Sequence, residues 1–257
     1  SEIMNIPRYD GLLIRALTDP LNTSYVAARL AHVCGLRVVD EPDSILVCCD
    51  KVNMYQHLMR AGVPMPDTCF LTDDQITPEQ AHELFEQYGT PLVLKAPNSS
   101  FSAYVEKVHD AASFVKVGRR FLRRADRLVV QQYLPSSFDW RVTMLDGKVL
   151  SVVKYVMGVG AWRIHDRDEA GNENIHTVEG VQRSLVNPKL VAVALAAGNA
   201  IGRSLYGVDV KEFDDGFMVI EVNDNPNIDA GSEDSNNPEV YRNVVRHLVG
   251  EPWEAWA

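Results

Sequence analysis

Two acidic side chains and an amide stand at a spacing that suits a hard cation. Asp209 lies in the run GVDVKEF (207–213), and Glu221 and Asn223 lie in FMVIEVN (217–223). Asp214-Asp215-Gly216 separates the runs and is a turn signal, so the pair reads as an antiparallel hairpin. With Gly216 in the left-handed position, Phe213 faces Phe217, Lys211 faces Val219 and Asp209 faces Glu221. Val208, Val210, Ile220 and Val222 then share the opposite, core-facing side. Opposed carboxylates repel unless something cationic lies between them. Asn223 falls on the same face as Glu221, and Asp, Glu and Asn oxygens together suit Mg²⁺ that also holds phosphate. Lys211 on that face would serve equally well as a salt-bridge partner. The polar turn Asp224–Gly231 directly after the second run suits a substrate-facing loop, although turn chemistry accounts for part of its composition.

Lysines form the second set. Lys95 ends the apolar run PLVLK, Lys154 sits inside VLSVVKYV, and Lys51 follows Asp50. Any one of them reads as a snorkelling side chain. Together with a carboxylate pair that needs a cation, they are a set that a polyphosphate would satisfy. The loop Pro97–Ala103, with Ser99 and Ser100, offers hydroxyl and backbone donors to phosphate but carries no glycine. Arg163, beside Trp162 and His165, could grip a carboxylate in bidentate fashion, or simply lie at the surface. His165 and His176 read as solvated loop histidines rather than metal ligands. Arg119, Arg120, Arg123, Arg124 and Arg127 read as a solvated helix face.

These residues need elements to hold them. Strands are expected at 9–16 and 36–40 around a helix at 20–34, whose inner face is Tyr25, Ala28, Leu30 and Val33; this suggests a βαβ unit. Asp50 caps a helix that runs to Arg60 and closes at Gly62, and Pro78 and Gly89 bound another. Strands at 67–71, 91–95, 104–108 and 127–134 surround that helix and one at 110–124. Residues 139–145 and 148–157 flank Asp146-Gly147, the strongest short-range hairpin signal. Residues 158–183 read as a long loop, 188–205 as an amphipathic helix and 238–249 as the last helix.

The 257 residues carry 46% hydrophobic and 23% charged side chains, which excludes a disordered tail or a disulfide scaffold. A net charge of −10 argues against non-specific nucleic-acid binding. The four cysteines include no C-x-x-C pair, and reduced thiols in a cytoplasmic protein are expected. No run of about 18 apolar residues suggests a membrane span.

The segments Asp50-Lys51, PLVLK, VVQQYL (129–134), FDWRV (138–142), GVDVK (207–211) and VIEVNDNPNIDAG (219–231) together resemble the ATP-grasp superfamily, and within it the RimK-type carboxylate–amine ligases. The match runs through about residues 45–249, and E-V-N-x-N-P after an apolar strand is its most specific part. The resemblance implies an α+β fold: an ATP-grasp core of two α+β subdomains, 50–132 and 133–257, preceded at 1–49 by the end of an α/β pre-grasp domain. It implies that Lys51 and Lys95 contact ATP phosphates, with Ser99 and Ser100 in the loop that covers them. Gln131, Gln132, Tyr133 and Leu134 would form the hinge beside adenine, and Asp139 would lie near the ribose. Arg141 and Lys154 would reach phosphate or a substrate carboxylate. Asp209, Glu221 and Asn223 would hold two Mg²⁺ ions, with Mn²⁺ as a substitute. Gln132 stands where an acidic residue is common, and the phosphate loop is Ser-rich instead of Gly-rich. The implied reaction makes an amide through an acyl phosphate, adding an amino acid such as glutamate to an amine-bearing small molecule or peptide. A non-catalytic ATP-binding module and an ATP-grasp kinase are the alternatives. No nucleic acid or membrane partner is expected, and homo-oligomerisation stays open.

Overall fold

The computed structural model describes residues 2–98, 104–158, 161–162, 177–213 and 216–256. The chain begins with a short parallel pair, β1 (Gly11–Leu13) and β2 (Arg37–Val39), joined through helix α1 (Thr23–Val33). Asn22 caps α1 by accepting from the Tyr25 backbone N–H. The helix buries Ala28 and Ala31, while Val33 is 69% exposed. The expected inner face is thus rotated: small alanines let the helix lie close to the strands, and Tyr25 and Leu30 pack only at its margin. Helix α2 (Pro42–Cys48) follows, with Pro42 in its first turn. At seven residues it is too short to show a helical period, and the sequence reading passed over it.

Helix α3 (Lys51–Arg60) starts where expected, because the Asp50 carboxylate accepts from the Val52 and Asn53 backbone N–H groups. The next elements are β3 (Thr68–Leu71), α4 (Pro78–Tyr88), β4 (Leu92–Lys95), β5 (Val105–Val108), α5 (Ala111–Phe121) and β6 (Leu128–Gln132). Their strands form an antiparallel sheet in the order β3-β6-β4-β5. Leu84, Phe114 and Phe121 of the two helices pack on Leu92, Leu94, Leu128 and Val130 of that sheet.

The last part comprises β7 (Phe138–Leu145), β8 (Lys148–Val156), β9 (Thr177–Gly180), α6 (Pro188–Ile201), β10 (Leu205–Phe213), β11 (Gly216–Asp224) and α7 (Val240–Val249). The sheet order is β11-β10-β7-β8-β9. Asp146 and Gly147 both take positive φ, 48° and 72°, as a two-residue hairpin turn requires. β9 lies inside the stretch expected to be loop. It exists because β8 offers it an edge to pair with, not because of any period of its own. α3 and α6 cover one face of this sheet, with Tyr55, Leu58, Leu190 and Ala194 against Val142, Val208 and Val222. Among the described residues no helix is long and apolar enough to cross a membrane.

The hairpin register differs from expectation at its tip. Phe213 pairs with Gly216, Lys211 with Met218 and Val210 with Val219. A bulge then inserts Ile220, after which Asp209 does face Glu221. Ile220 leaves the core-facing side expected for it and lines a cavity instead. Its carbonyl accepts from the Tyr55 hydroxyl at 2.6 Å.

Candidate active site

The four- and five-stranded sheets and the chain after β1 meet around a cavity of about 440 Å³. Arg15–Thr18 close one end after β1. The four-stranded sheet supplies Val93, Lys95, Val105, Gln131 and Gln132, and the chain leaving β6 supplies Tyr133 and Leu134. The five-stranded sheet supplies Asp139, Arg141, Tyr155, Asp209, Lys211, Glu221 and Asn223. The separation by two in sequence puts Asp139 with Arg141, and Asp209 with Lys211, on one face of their strands.

Lys95 ends β4, 4% exposed, and its ammonium donates to the Tyr55 hydroxyl at 2.6 Å and the Gln131 amide oxygen at 2.7 Å. Gln131 is oriented by donating its own N–H₂ to the Thr68 hydroxyl at 2.8 Å. The Tyr55 hydroxyl in turn donates to the bulge carbonyl. Two of the three ammonium protons of Lys95 are therefore held by the scaffold. Burial pushes the Lys95 pKa down to about 8, against the pull of Glu221.

Lys51, in the first turn of α3, forms an ion pair with Glu221 at 2.6 Å. Burial would raise the Glu221 pKa, but Lys51 and then Lys95 outweigh it and hold the carboxylate below its usual range. Arg141 forks onto Asp209, Nε to Oδ1 at 2.5 Å and Nη2 to Oδ2 at 3.0 Å. Burial works against the guanidinium charge, and Asp209 more than restores it. Gly207 makes room for this arrangement. A Cβ there would lie 2.7 Å from the Pro226 side chain and 2.9 Å from Cδ and Nη1 of Arg141. Lys211 does not bridge the Asp209–Glu221 pair, as one reading of the sequence allowed. It pairs with Asp139 at 2.6 Å. Burial raises the Asp139 pKa, with Lys211 opposing.

At the other side of the cavity the Tyr133 and Trp162 rings meet edge to face, 6.1 Å between centroids, with the Lys107 ammonium 4.7 Å from each. At the end near Arg15, Asp224 faces the cavity with its pKa raised by burial to about 6. Asp40 behind it is fully buried, and burial and then the nearby Asp224 push its carboxyl well above the usual carboxylate range.

The structure thus gathers Lys51, Lys95, Gln131, Gln132, Tyr133, Leu134, Asp139, Arg141, Asp209, Glu221 and Asn223 around one space. Lys154 is not in the cavity wall. Strand alternation gives the inward position to Tyr155 and turns Lys154 to the other face, where its ammonium lies 4.3 Å from the Phe138 ring and 4.7 Å from that of Trp140. Ser99, Ser100, Arg163, His165 and His176 lie outside the described residues. Of the cavity-lining residues, the sequence reading missed Arg15 and Tyr155. Only Tyr155 had a signal, its position two residues from Val153 on the strand face opposite Lys154.

The model of the RimK-like ATP-grasp domain matches residues 30–246. The chain belongs to the RimK-like ATP-grasp family. A probable alpha-L-glutamate ligase of Legionella pneumophila is 25% identical over 247 residues, 95% of this chain and 77% of that protein. A glutamate–LysW ligase, ArgX, of Sulfolobus acidocaldarius is 24% identical over 229 residues, 85% of this chain and 74% of that one. Among solved structures, a D-alanine–D-alanine ligase from Bacillus anthracis superposes with a TM-score of 0.72 at 19% identity, covering 96% of this chain and 79% of that one. A RimK-domain ATP-grasp protein from Sphaerobacter thermophilus gives 0.64 at 22% identity, covering 90% and 78%. The fold is therefore the α+β ATP-grasp fold.

The donor chemistry of this RimK-like site fits a divalent cation. Asp209 and Glu221 oxygens face the same cavity, and each already carries a cationic partner from a different element. Asn223 donates to Asp209 Oδ2 at 3.0 Å and to the Gly207 carbonyl at 3.3 Å, which leaves its own amide oxygen as a ligand. Among the described residues no group of three or more His, Cys, Asp or Glu is placed to hold a metal ion.

Proposed function

We propose that this ATP-dependent ligase makes a carbon–nitrogen bond by turning a carboxylate into an acyl phosphate, which the amine of a second substrate then attacks. The amino acid joined is one such as glutamate, and the acceptor is an amine-bearing small molecule or peptide. The glutamate ligases among its relatives support that choice of acid. In this reading residues 1–49 end a pre-grasp unit, 50–132 form the first ATP-grasp subdomain, and 133–257 form the second.

The observation that carries the proposal is one cavity in which three cationic side chains, Lys51, Lys95 and Arg141, converge on the oxygen set Asp209, Glu221 and Asn223. Lys51 and Lys95 bind the anionic phosphates of ATP from the α3 and β4 sides. Gln131–Leu134 take the base at the hinge, with Asp139 towards the ribose. Arg141, released in part from Asp209, holds the phosphoryl group or the carboxylate that receives it. Asp209, Glu221 and Asn223 would hold two Mg²⁺ ions, for which Mn²⁺ would substitute. Such ions, when bound, neutralise charge on the phosphate oxygens. The chain itself contributes position and charge, and no covalent nucleophile is required.

The test is release of ADP and phosphate that needs both an acid and an amine, with the amide identified by mass spectrometry across a panel of amino acids and peptides. Asp209→Ala and Glu221→Ala should abolish it. Release of AMP and pyrophosphate would contradict the acyl-phosphate route. A phosphorylated product without an amide would make the protein a kinase, and ATP binding without turnover on a broad panel would make it a binding module.

A further inference from the structure

Arg141 has a second support that the reaction does not name. Its guanidinium carbon lies 5.0 Å from the centre of the Tyr155 ring, a cation–π arrangement. The two residues sit on adjacent strands, because Asp139 pairs with Tyr155 and Arg141 with Val153, so they are diagonal neighbours on the cavity face. The ring is itself anchored at its far end. The Tyr155 hydroxyl donates to Glu233 Oε1 at 2.5 Å, and the other oxygen of Glu233 accepts from the Asp229 backbone N–H at 2.8 Å. Glu233 is 2% exposed and belongs to the segment after β11, far along the chain from both strands. Asp229, which it ties down, belongs to the polar turn whose Asn225–Asn227 line the cavity.

We propose that Glu233 is a positioning residue for Arg141, acting through Tyr155. The proposal rests on the reading in which Arg141 holds the transferred phosphoryl group. In that reading Asp209 is shared with a cation, so its fork onto Arg141 loosens and the carboxylate no longer sets the guanidinium plane. The Tyr155 ring does not depend on Asp209. It keeps Arg141 pointed into the cavity as long as Glu233 fixes its hydroxyl. Glu233 also joins the arginine to the 225–229 turn, so that turn and guanidinium are set by one buried carboxylate.

The test compares, by calorimetry on the full chain, the affinity for the Mg²⁺ complex of β,γ-imido-ATP with that for MgADP. Their ratio isolates the terminal phosphate and needs no turnover. Glu233→Gln and Tyr155→Phe should each lower the ratio about fivefold, the scale of one hydrogen bond, while MgADP affinity stays the same. The double variant should lower it no further, because both act on one path. Tyr155→Phe keeps the ring and the fold if Glu233→Gln proves unstable. A lowered melting temperature with an unchanged ratio would make the pair structural only and overturn the proposal, as would additive losses. Arg141→Ala separates the two ideas. If it lowers the ratio and the other variants do not, the positioning role alone falls. If it leaves the ratio unchanged, the reading of Arg141 at the terminal phosphate falls with it.

Discussion

Lys95 should make nucleotide binding depend on pH in a region where phosphates no longer titrate. Burial lowers its pKa to about 8, so the group is an ammonium below that value and an amine above it. For a pKa of about 8, the charged form makes up about nine-tenths at about pH 7 and about one-thirtieth at about pH 9.5. If phosphate needs the ammonium, affinity for MgADP should fall about thirtyfold over that interval. Bound phosphate favours the charged form, so binding at about pH 8.5 should take up about 0.8 of a proton. Calorimetry in buffers of different ionisation enthalpy measures both quantities. Lys95→Arg, whose guanidinium does not titrate here, should flatten the profile if it binds. Lys95→Met should bind weakly at every pH. A wild-type affinity constant between pH 7 and 9.5, or the same decline in Lys95→Met, would refute the assignment of Lys95 to phosphate.

Other outcomes follow from single contacts. Gly207→Ala places a Cβ inside 3 Å of Pro226 and Arg141. It should cost about 1–3 kcal/mol in urea unfolding and most of the activity, since it displaces the arginine itself. Asp224, with its pKa raised to about 6 by burial, contributes stability that is complete below about pH 4 and lost as pH rises through about 6. Asp224→Asn should therefore be more stable than wild type by up to about 3 kcal/mol at neutral pH and equal to it near pH 4, as urea midpoints at both pH values would show. Trp162 lines the cavity beside Tyr133, which the proposal places at the hinge. Its fluorescence should change on ADP addition, and Trp162→Phe should remove that change, leaving the signals of Trp140, Trp253 and Trp256.

Much of the framework was legible because it rests on local chemistry. The Asp50 cap, the Pro78 start and Gly89 end of α4, and the Asp146-Gly147 turn each act within a few residues. α2 and β9 were not legible for the opposite reason. One is too short to show a helical period, and the other is a strand only because β8 lies beside it. The hairpin shows both sides at once. Its carboxylates do oppose each other, yet by way of a bulge at Ile220 whose carbonyl is met by Tyr55 from α3. No pattern along the hairpin announces a partner from a helix about 165 residues away.

Residue types and their periods along the chain therefore decided which groups are available: an oxygen set on a hairpin, lysines in or beside buried elements, and the motifs of the RimK-like family. The tertiary structure decided who holds whom. Lys51 rather than Lys211 meets Glu221, Arg141 takes Asp209, and Lys211 takes Asp139. Lys154 turns away while Tyr155 turns in. The reason is physical. Alternation and capping depend on near neighbours, whereas the pairing of buried charges depends on which strands lie side by side and which helix end points at them, and long-range packing sets both.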